Sequence, residues 1–467
     1  MSPRLALTSL ALALVSLSLS LVAAPPPNFI FILGDDLGTP PVGIYGNSYY
    51  QTPNLDRLGR EGIRFSDAYS ACPVCSPTRA AFMTGQYPAR TRITDFIPGG
   101  AFPNARLQEP QWQKYLPLSA RTLAEELADR GYATALFGKW HLARAYRGDE
   151  SIPEGPDRQG FAETFITHKP AKSDDPEKDA HGVEAITTRA LDFLGRHRQR
   201  PFFLYLAHNS IHSPIMAPRT LVEKHRARAG SDRPGNNPVI AAMMEVLDLS
   251  IGRVLARLDE LGLRENTLVI FTGDNGGLLG DASQSPWRGG KAQLHEGGIR
   301  VPLLMRWPGV IAPGRLSAAP VSTVDFFPTL LELSGRPAGP SLTVDGISLA
   351  AHLRGGPEPA RDAVFWHYPH YHSAGDGGPA GAVRAGDWKL VEYYEHSLAG
   401  TGRAPELFNL RTDPAETQNL AASDPARVRA LLEKLATFRA RTGAQMPSVN
   451  PTYDPSRPAR RKGPDNG

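Results

Sequence analysis

The sequence predicts an α/β fold: a large, mainly parallel sheet flanked by helices, followed by a smaller C-terminal α+β domain with a short antiparallel sheet. Three observations predict it. Short apolar runs alternate with amphipathic segments of helical period from residue 28 to residue 272, and a β-α-β-α rhythm builds parallel sheets covered by helices. Two of the apolar runs end in acidic turns, Gly34-Asp35-Asp36 and Gly273-Asp274-Asn275, and ligands of open α/β sheets sit outside the carboxyl ends of strands. Beyond a Gly/Pro-rich stretch near residues 345–362, the strand-like runs become shorter and are joined by loops.

The elements follow in order. Asn28 to Leu33 is a short apolar run ending at Gly34, which suits a buried strand. Thr122 to Arg130 reads as an amphipathic helix stopped by Gly131, and Tyr132 to Phe137 as the next strand. Val183 to Leu194 is helical and Phe202 to Leu206 a strand. From Met243, the positions Leu247, Ile251, Val254, Leu258 and Leu261 step by three or four along one helix face, and Thr267 to Thr272 follows as a strand. In the C-terminal part, Val364 to Tyr368, Trp388 to Tyr394 and Leu407 to Leu410 read as strands, and Asp424 to Arg441 as a closing helix. The expected division is a large domain over 25–360, a smaller one over 361–446, and a disordered tail over 447–467, which is rich in Pro and Arg and lacks apolar periodicity.

Composition narrows the function. The 467 residues allow two or three domains at roughly 150 each. The 41% hydrophobic content supports a large core and excludes a mostly disordered chain. Net charge is only +4, and the 41 Arg and 10 Lys are spread along the chain, which argues against a nucleic-acid partner. Two cysteines cannot staple a disulfide fold. Residues 1–24 read as a secretory signal: Arg4, then the apolar run Leu5 to Val22, then small residues at Val22-Ala23-Ala24. The run is just long enough to span a membrane, but Ser and Thr interrupt it, so cleavage is expected and no stable membrane association. No Asn-X-Ser/Thr sequon with X other than Pro occurs. The expected location is therefore exported, periplasmic or secreted, in a bacterium.

Four dispersed segments carry chemistry. Asp35, Asp36, Asp274 and Asn275 offer only oxygen ligands, which suits Ca²⁺ or Mg²⁺; either turn alone reads better as an ordinary Asp-rich turn, and the two together shift the reading towards a metal. Cys72-Pro73-Val74-Cys75-Ser76-Pro77-Thr78-Arg79 precedes an apolar run, and Pro77 marks the opening of a helix with Cys75 at its N-terminus. Cys72 and Cys75 also have redox spacing. Gly138-Lys139-Trp140-His141 ends a strand, so Lys139 and His141, two apart, are expected to project one way and to pair a cation with a general base. His212-Ser213-Pro214 and Arg288-Gly289-Gly290-Lys291, leading into Glu296-Gly297-Gly298, complete the set.

Together these residues resemble the sulfatase family of the alkaline-phosphatase-like superfamily, from about Asn28 to Leu435. The Cys75-X-Pro77-X-Arg79 motif with Met83-Thr84-Gly85 carries most of the resemblance, together with the order of the segments and the closing Glu406-Leu407-Phe408-Asn409-Leu410. The resemblance implies that Cys75 is oxidised to formylglycine by a formylglycine-generating enzyme. One hydroxyl of the hydrated aldehyde would attack sulfur, and the other would later expel sulfate. It further implies a metal site of Asp35, Asp36, residue 75, Asp274 and Asn275, holding Ca²⁺ with Mg²⁺ as the alternative. The catalytic set it implies is Cys75, Arg79, Lys139, His141, His212 and Lys291. Arg79 and Lys139 would steady the formylglycine hydroxyls, His141 would take the second hydroxyl's proton, and His212 and Lys291 would serve the leaving alcohol. His212 is chosen over His208 because the family's histidine stands two residues before a proline, as His212 does before Pro214.

The implied activity is sulfate-ester hydrolysis, with a carbohydrate sulfate as the expected substrate. Alternatives are a phosphate or phosphonate ester hydrolase on the same scaffold, a sulfated-glycan binder with unmodified Cys75, and an exported redox protein. The segment Trp366 to His372 reads either as aromatic groups stacking on a sugar or as an edge strand closing a small core.

Overall fold

A computed structural model describes residues 25–144, 153–375 and 377–459. The signal expected over 1–24 lies outside these residues. The strands are β1 (Asn28–Gly34), β2 (Ile63–Phe65), β3 (Ala68–Tyr69), β4 (Leu107–Gln108), β5 (Ala133–Gly138), β6 (Glu163–Ile166), β7 (Phe202–Ala207) and β8 (Thr267–Gly273), then β9 (Leu303–Arg306), β10 (Arg315–Ser317), β11 (Val321–Ser322), β12 (Val364–Tyr368), β13 (Ala380–Ala385), β14 (Trp388–Tyr393), β15 (Glu406–Asn409) and β16 (Ser448–Val449). Eight of them form one sheet in the order β10-β2-β9-β8-β1-β7-β5-β6. From β8 to β6 every pair is parallel, while β9 runs antiparallel to both neighbours. This is the large, mainly parallel sheet that the sequence predicts.

The sequence of β1 explains its central place. Every residue of Asn28–Gly34 is buried, and alternate side chains enter opposite layers. Phe29, Phe31 and Leu33 join one core, Ile30 and Ile32 the other. Phe31 stacks on Phe82 with ring centroids 3.9 Å apart, which seats the helix Cys75–Thr84 on the sheet. An aromatic pair of this kind contributes about 0.5–1.5 kcal/mol beyond its buried area. The opposite layer contains the helix Pro238–Glu260, which starts five residues before the apolar periodicity at Met243. Asn237 caps it, accepting from Val239 N at 2.9 Å, with Pro238 in the first turn.

The C-terminal sheet β12-β13-β14-β15 is antiparallel throughout. The helix Pro425–Thr442 packs on it, with Phe438 stacked on Phe365 at 4.6 Å. Sequence analysis omits β13, whose small residues Ala380, Gly381 and Ala382 give no strand signal; its pairing with β12 and β14 makes it a strand. The expected disordered tail is not met over 447–459. Val449 pairs with Leu107, Asn450 Nδ2 donates to the Ala105 carbonyl at 2.8 Å, and Asn104 Nδ2 donates to the Asp454 carbonyl at 2.8 Å. Residues 460–467 lie outside the described ones. Among the described residues no helix is long and apolar enough to cross a membrane.

Candidate active site

The C-terminal ends of β1, β5, β7 and β8 bring the dispersed motifs together. Asp35 and Asp36 follow β1, Lys139 follows β5, His212 lies five residues past β7, and Asp274 and Asn275 follow β8. Asp36 takes a left-handed backbone (φ 57°) and its N–H donates to Asp274 Oδ1 at 3.0 Å. That strained conformation ties the first acidic turn to the second. Cys75 opens its helix as expected, and Val74 provides no side-chain cap, so the first-turn N–H groups remain available to an anion.

Three cations pair one-to-one with three carboxylates around Cys75. Lys139 Nζ lies 2.6 Å from Asp35 Oδ2, Lys291 Nζ 2.7 Å from Asp36 Oδ2, and Arg79 Nη2 2.8 Å from Asp274 Oδ2. Lys139 Nζ is also 3.6 Å from Cys75 Sγ. All of these groups are buried. Burial pushes Asp35 up, yet Lys139, His212, Arg79 and Lys291 hold it well below the usual carboxylate range. Burial likewise raises Asp36, and Lys291 and His212 bring it down. Asp274 goes the other way: burial and the Asp35 charge push it up to about 7 despite Arg79. Burial also drives the Cys75 thiol up to about 11, against the pull of Lys139 and Lys291.

The two histidines are held neutral by different contacts. His212 falls to about 4 through burial and the Lys291 charge, against Asp36 and Asp35. Its Nδ1 lies 2.6 Å from the Ser213 carbonyl and its Nε2 3.1 Å from Lys291 Nζ. A carbonyl only accepts, so Nδ1 carries the proton and Nε2 accepts from the ammonium. His141 is pushed well below its ordinary value by burial, Lys139 and Arg79. Its Nε2 donates to the Ile97 carbonyl at 2.7 Å, which leaves the ring's lone pair on Nδ1. The expectation that Lys139 and His141 project alike from a strand is not met. β5 ends at Gly138 (φ 120°), where a Cβ would lie 1.9 Å from the Ala207 carbonyl, and His141 is itself left-handed (φ 59°). Strand alternation therefore stops before Lys139. His208 is fully buried with neither ring nitrogen hydrogen-bonded, whereas His212 reaches Lys291 and the Asp36 carboxylate.

A hard divalent cation fits this cluster on the structure's own terms. Among the described residues, Asp35 Oδ1 and Asn275 Oδ1 are buried without a hydrogen-bond partner, and a cation would satisfy both and relieve the crowding that raises Asp274. Ligand atoms of Asp35, Asp36, Cys75 and His212 lie within 4.8 Å of one another. His212 enters this group without having been expected as a ligand. Asp274, expected as one, has Oδ1 accepting from Asp36 N and Oδ2 held by Arg79.

Cys72 and Cys75 are both free, buried thiols, so the redox alternative has no disulfide here. Of the aromatic segment, Trp366 Nε1 donates to the Ser70 carbonyl, Tyr368 to Asp95, and His370 faces Thr94 and Glu109. These rings close the join between the two parts of the chain and are not exposed to a sugar. Lys169, on the loop after β6, belongs to no motif, and only the fold brings it within range of the charges of Lys139, Lys291 and Asp35.

The site is that of a hydrolase of the alkaline-phosphatase-like class, built for a tetrahedral oxyanion. The chain belongs to the sulfatase family: the family model described as Sulfatase matches residues 27–336, and that described as N-sulphoglucosamine sulphohydrolase, C-terminal, matches 289–440. Arylsulfatase A of Homo sapiens is 33% identical, the match covering 95% of this chain and 92% of that protein. An N-acetylgalactosamine-6-O-sulfatase of Bacteroides thetaiotaomicron is 26% identical over 89% of this chain and 93% of its own. The crystal structure of Ps i-CgsB in complex with k-i-k-neocarrahexaose superposes with a TM-score of 0.74 at 26% identity, covering 88% of this chain and 92% of that one. The protein is thus a sulfatase, a hydrolase of sulfuric esters.

Proposed function

We propose that this sulfatase is exported and hydrolyses the sulfate ester of a carbohydrate, through a formylglycine made from Cys75 and a Ca²⁺ ion held by Asp35, Asp36, residue 75, Asp274 and Asn275. One observation carries the reading: Cys75 lies among three paired cations, yet its own thiol is pushed up to about 11. A thiol protonated at neutral pH is a poor nucleophile, so a site this charged around residue 75 calls for a different nucleophile there.

Formylglycine would supply two hydroxyls on one carbon, and Ca²⁺ when bound would lower the pKa of the attacking hydroxyl and offset sulfate charge. The remaining work falls to the chain's own residues. Lys139, 3.6 Å from Sγ, holds the attacking oxygen, with Arg79 behind it. Lys139 and Lys291 face the charge that spreads over the sulfate oxygens. Lys291 holds the proton needed by the leaving alcohol, since His212 Nε2 accepts from it and has none to give. His141, with its lone pair on Nδ1, takes the proton from the second hydroxyl. Similarity to an N-acetylgalactosamine-6-O-sulfatase and to a structure in complex with k-i-k-neocarrahexaose supports a carbohydrate substrate. The pattern of residues 1–24 supports export.

The test is the mass of the proteolytic peptide containing residue 75, from protein made with a formylglycine-generating enzyme, together with rates on 4-nitrophenyl sulfate and 4-nitrophenyl phosphate. A formylglycine mass and a faster rate on the sulfate are expected. A cysteine mass in fully active protein, or a faster rate on the phosphate, would overturn the reading.

A further inference from the structure

Arg79, Lys139 and Lys291 each lie within hydrogen-bond distance of a carboxylate. A fourth cation lies close enough to this cluster to feel the charges of Lys139, Lys291 and Asp35. Lys169 lies on the loop after β6, and that loop is tied to the site on two sides. Thr167 N donates to the carbonyl of Gly138, the residue before Lys139, at 3.1 Å, and Thr167 Oγ1 accepts from Asn209 Nδ2 at 2.7 Å. Lys169 is half-buried, and among the described residues its ammonium has no ion pair or hydrogen bond. The charges acting on it all belong to the pocket: burial, Lys139 and Lys291 lower its pKa, while Asp35 and Cys75 raise it.

A lysine normally keeps its ammonium in water while its stem lies along the surface. Half-burying one beside two other ammoniums, with no carboxylate of its own among the described residues, costs free energy that Asp35 offsets only in part. An incoming anion would offset it. Lys139 and Lys291 already serve the single charge of a sulfate ester, which leaves Lys169 for a further charge.

We propose that Lys169 is a substrate-contacting residue at the pocket rim that takes a second anionic group, a carboxylate or a second sulfate, carried near the scissile sulfate. This rests on the sulfate-ester reading of the pocket and deepens it: the substrate class becomes a sulfated sugar with a second negative charge.

The experiment is calorimetric binding of three non-hydrolysable probes, benzenesulfonate, benzene-1,3-disulfonate and 3-sulfobenzoate, to wild type, Lys169→Met and Lys169→Arg in CaCl₂. Wild type is expected to bind at least one dianion about tenfold more tightly than benzenesulfonate, or about 1.4 kcal/mol. A preference for the disulfonate identifies a second sulfate, and one for sulfobenzoate a carboxylate. Lys169→Met should lose the preference while binding benzenesulfonate and melting as wild type does, and Lys169→Arg should keep it. Equal affinity for all three probes in wild type, the wild-type preference surviving in Lys169→Met, or an equal loss for all three would each overturn the assignment. Turnover of 4-nitrophenyl sulfate by the same wild-type preparation separates the two failures. Absence of turnover overturns the sulfate-ester reading, whereas turnover without a dianion preference overturns only the role of Lys169.

Discussion

Lys139 Nζ bridges Asp35 Oδ2 at 2.6 Å and Cys75 Sγ at 3.6 Å. One ammonium thus joins the first acidic turn to the nucleophile position, although Lys139 and Asp35 are 104 residues apart in sequence. Replacing Lys139 with Met should lower kcat by about 10²–10³, the cost of removing one preorganised charge from a transition state. Steady-state rates on 4-nitrophenyl sulfate check this; a change confined to KM would contradict it.

Cys75 is 1% exposed in the folded chain. A modifying enzyme cannot reach a side chain buried that deeply, so the proposed conversion to formylglycine would have to precede folding. Folded protein with Cys75 intact, incubated with a formylglycine-generating enzyme, should show no mass change in the peptide, while the same protein unfolded by urea and diluted into the enzyme should be converted. Cys75→Ala should fold normally and show no turnover.

If calcium is held as proposed, the buried oxygens Asp35 Oδ1 and Asn275 Oδ1 would make the fold itself sensitive to it. Adding CaCl₂ at about 100 times its Kd should stabilise the protein by about 2.7 kcal/mol, read as a rise in melting temperature that a chelator reverses. Asp274→Ala should weaken calcium binding in calorimetry.

Phe82 should matter to the site although it touches none of the reacting groups. Its ring stacks on Phe31 and seats the helix that Cys75 opens. Phe82→Ala is expected to cost about 3–5 kcal/mol, measured by urea unfolding, and to lower activity more than Cys75-distant core substitutions of equal cost.

Glu406 predicts an acid dependence. Burial raises its pKa, but the hydrogen bonds from His295, Tyr393 and Arg288 bring it down to about 2. A folded pKa below the unfolded value of about 4.5 means that this stabilisation is complete above pH 4.5 and is lost as the pH falls towards 2. In Glu406→Gln, the loss of melting temperature relative to wild type should therefore be largest near pH 7 and shrink as the pH drops below 4.5.

Much of the fold was legible in the sequence because strands and helices are signalled locally. Asn28–Gly34, Phe202–Ala207 and Thr267–Gly273 are apolar runs that can only be buried, and Thr122 before Leu123 forms a capping box with Glu125. β13 was not legible, because Ala380, Gly381 and Ala382 become a strand only through the partners on either side. The tail at 448–449 was not, because its partner strand lies 340 residues earlier in the chain, at 107–108.

The sequence by itself determined which chemical groups are present, their order along the chain and the strand ends that bear them. That was enough to place the protein among sulfatases, since the Cys75-X-Pro77-X-Arg79 motif and the two acidic turns are contiguous words. The tertiary structure alone decided how the groups are matched: Lys139 to Asp35, Lys291 to Asp36 and Arg79 to Asp274, His212 rather than His208 beside Lys291, and Lys169 without a paired carboxylate among the described residues. The physical reason is range. Propensity and periodicity act over a few residues, whereas these pairings span 79 to 255 residues and exist only because parallel strands deliver their loops to one edge of the sheet.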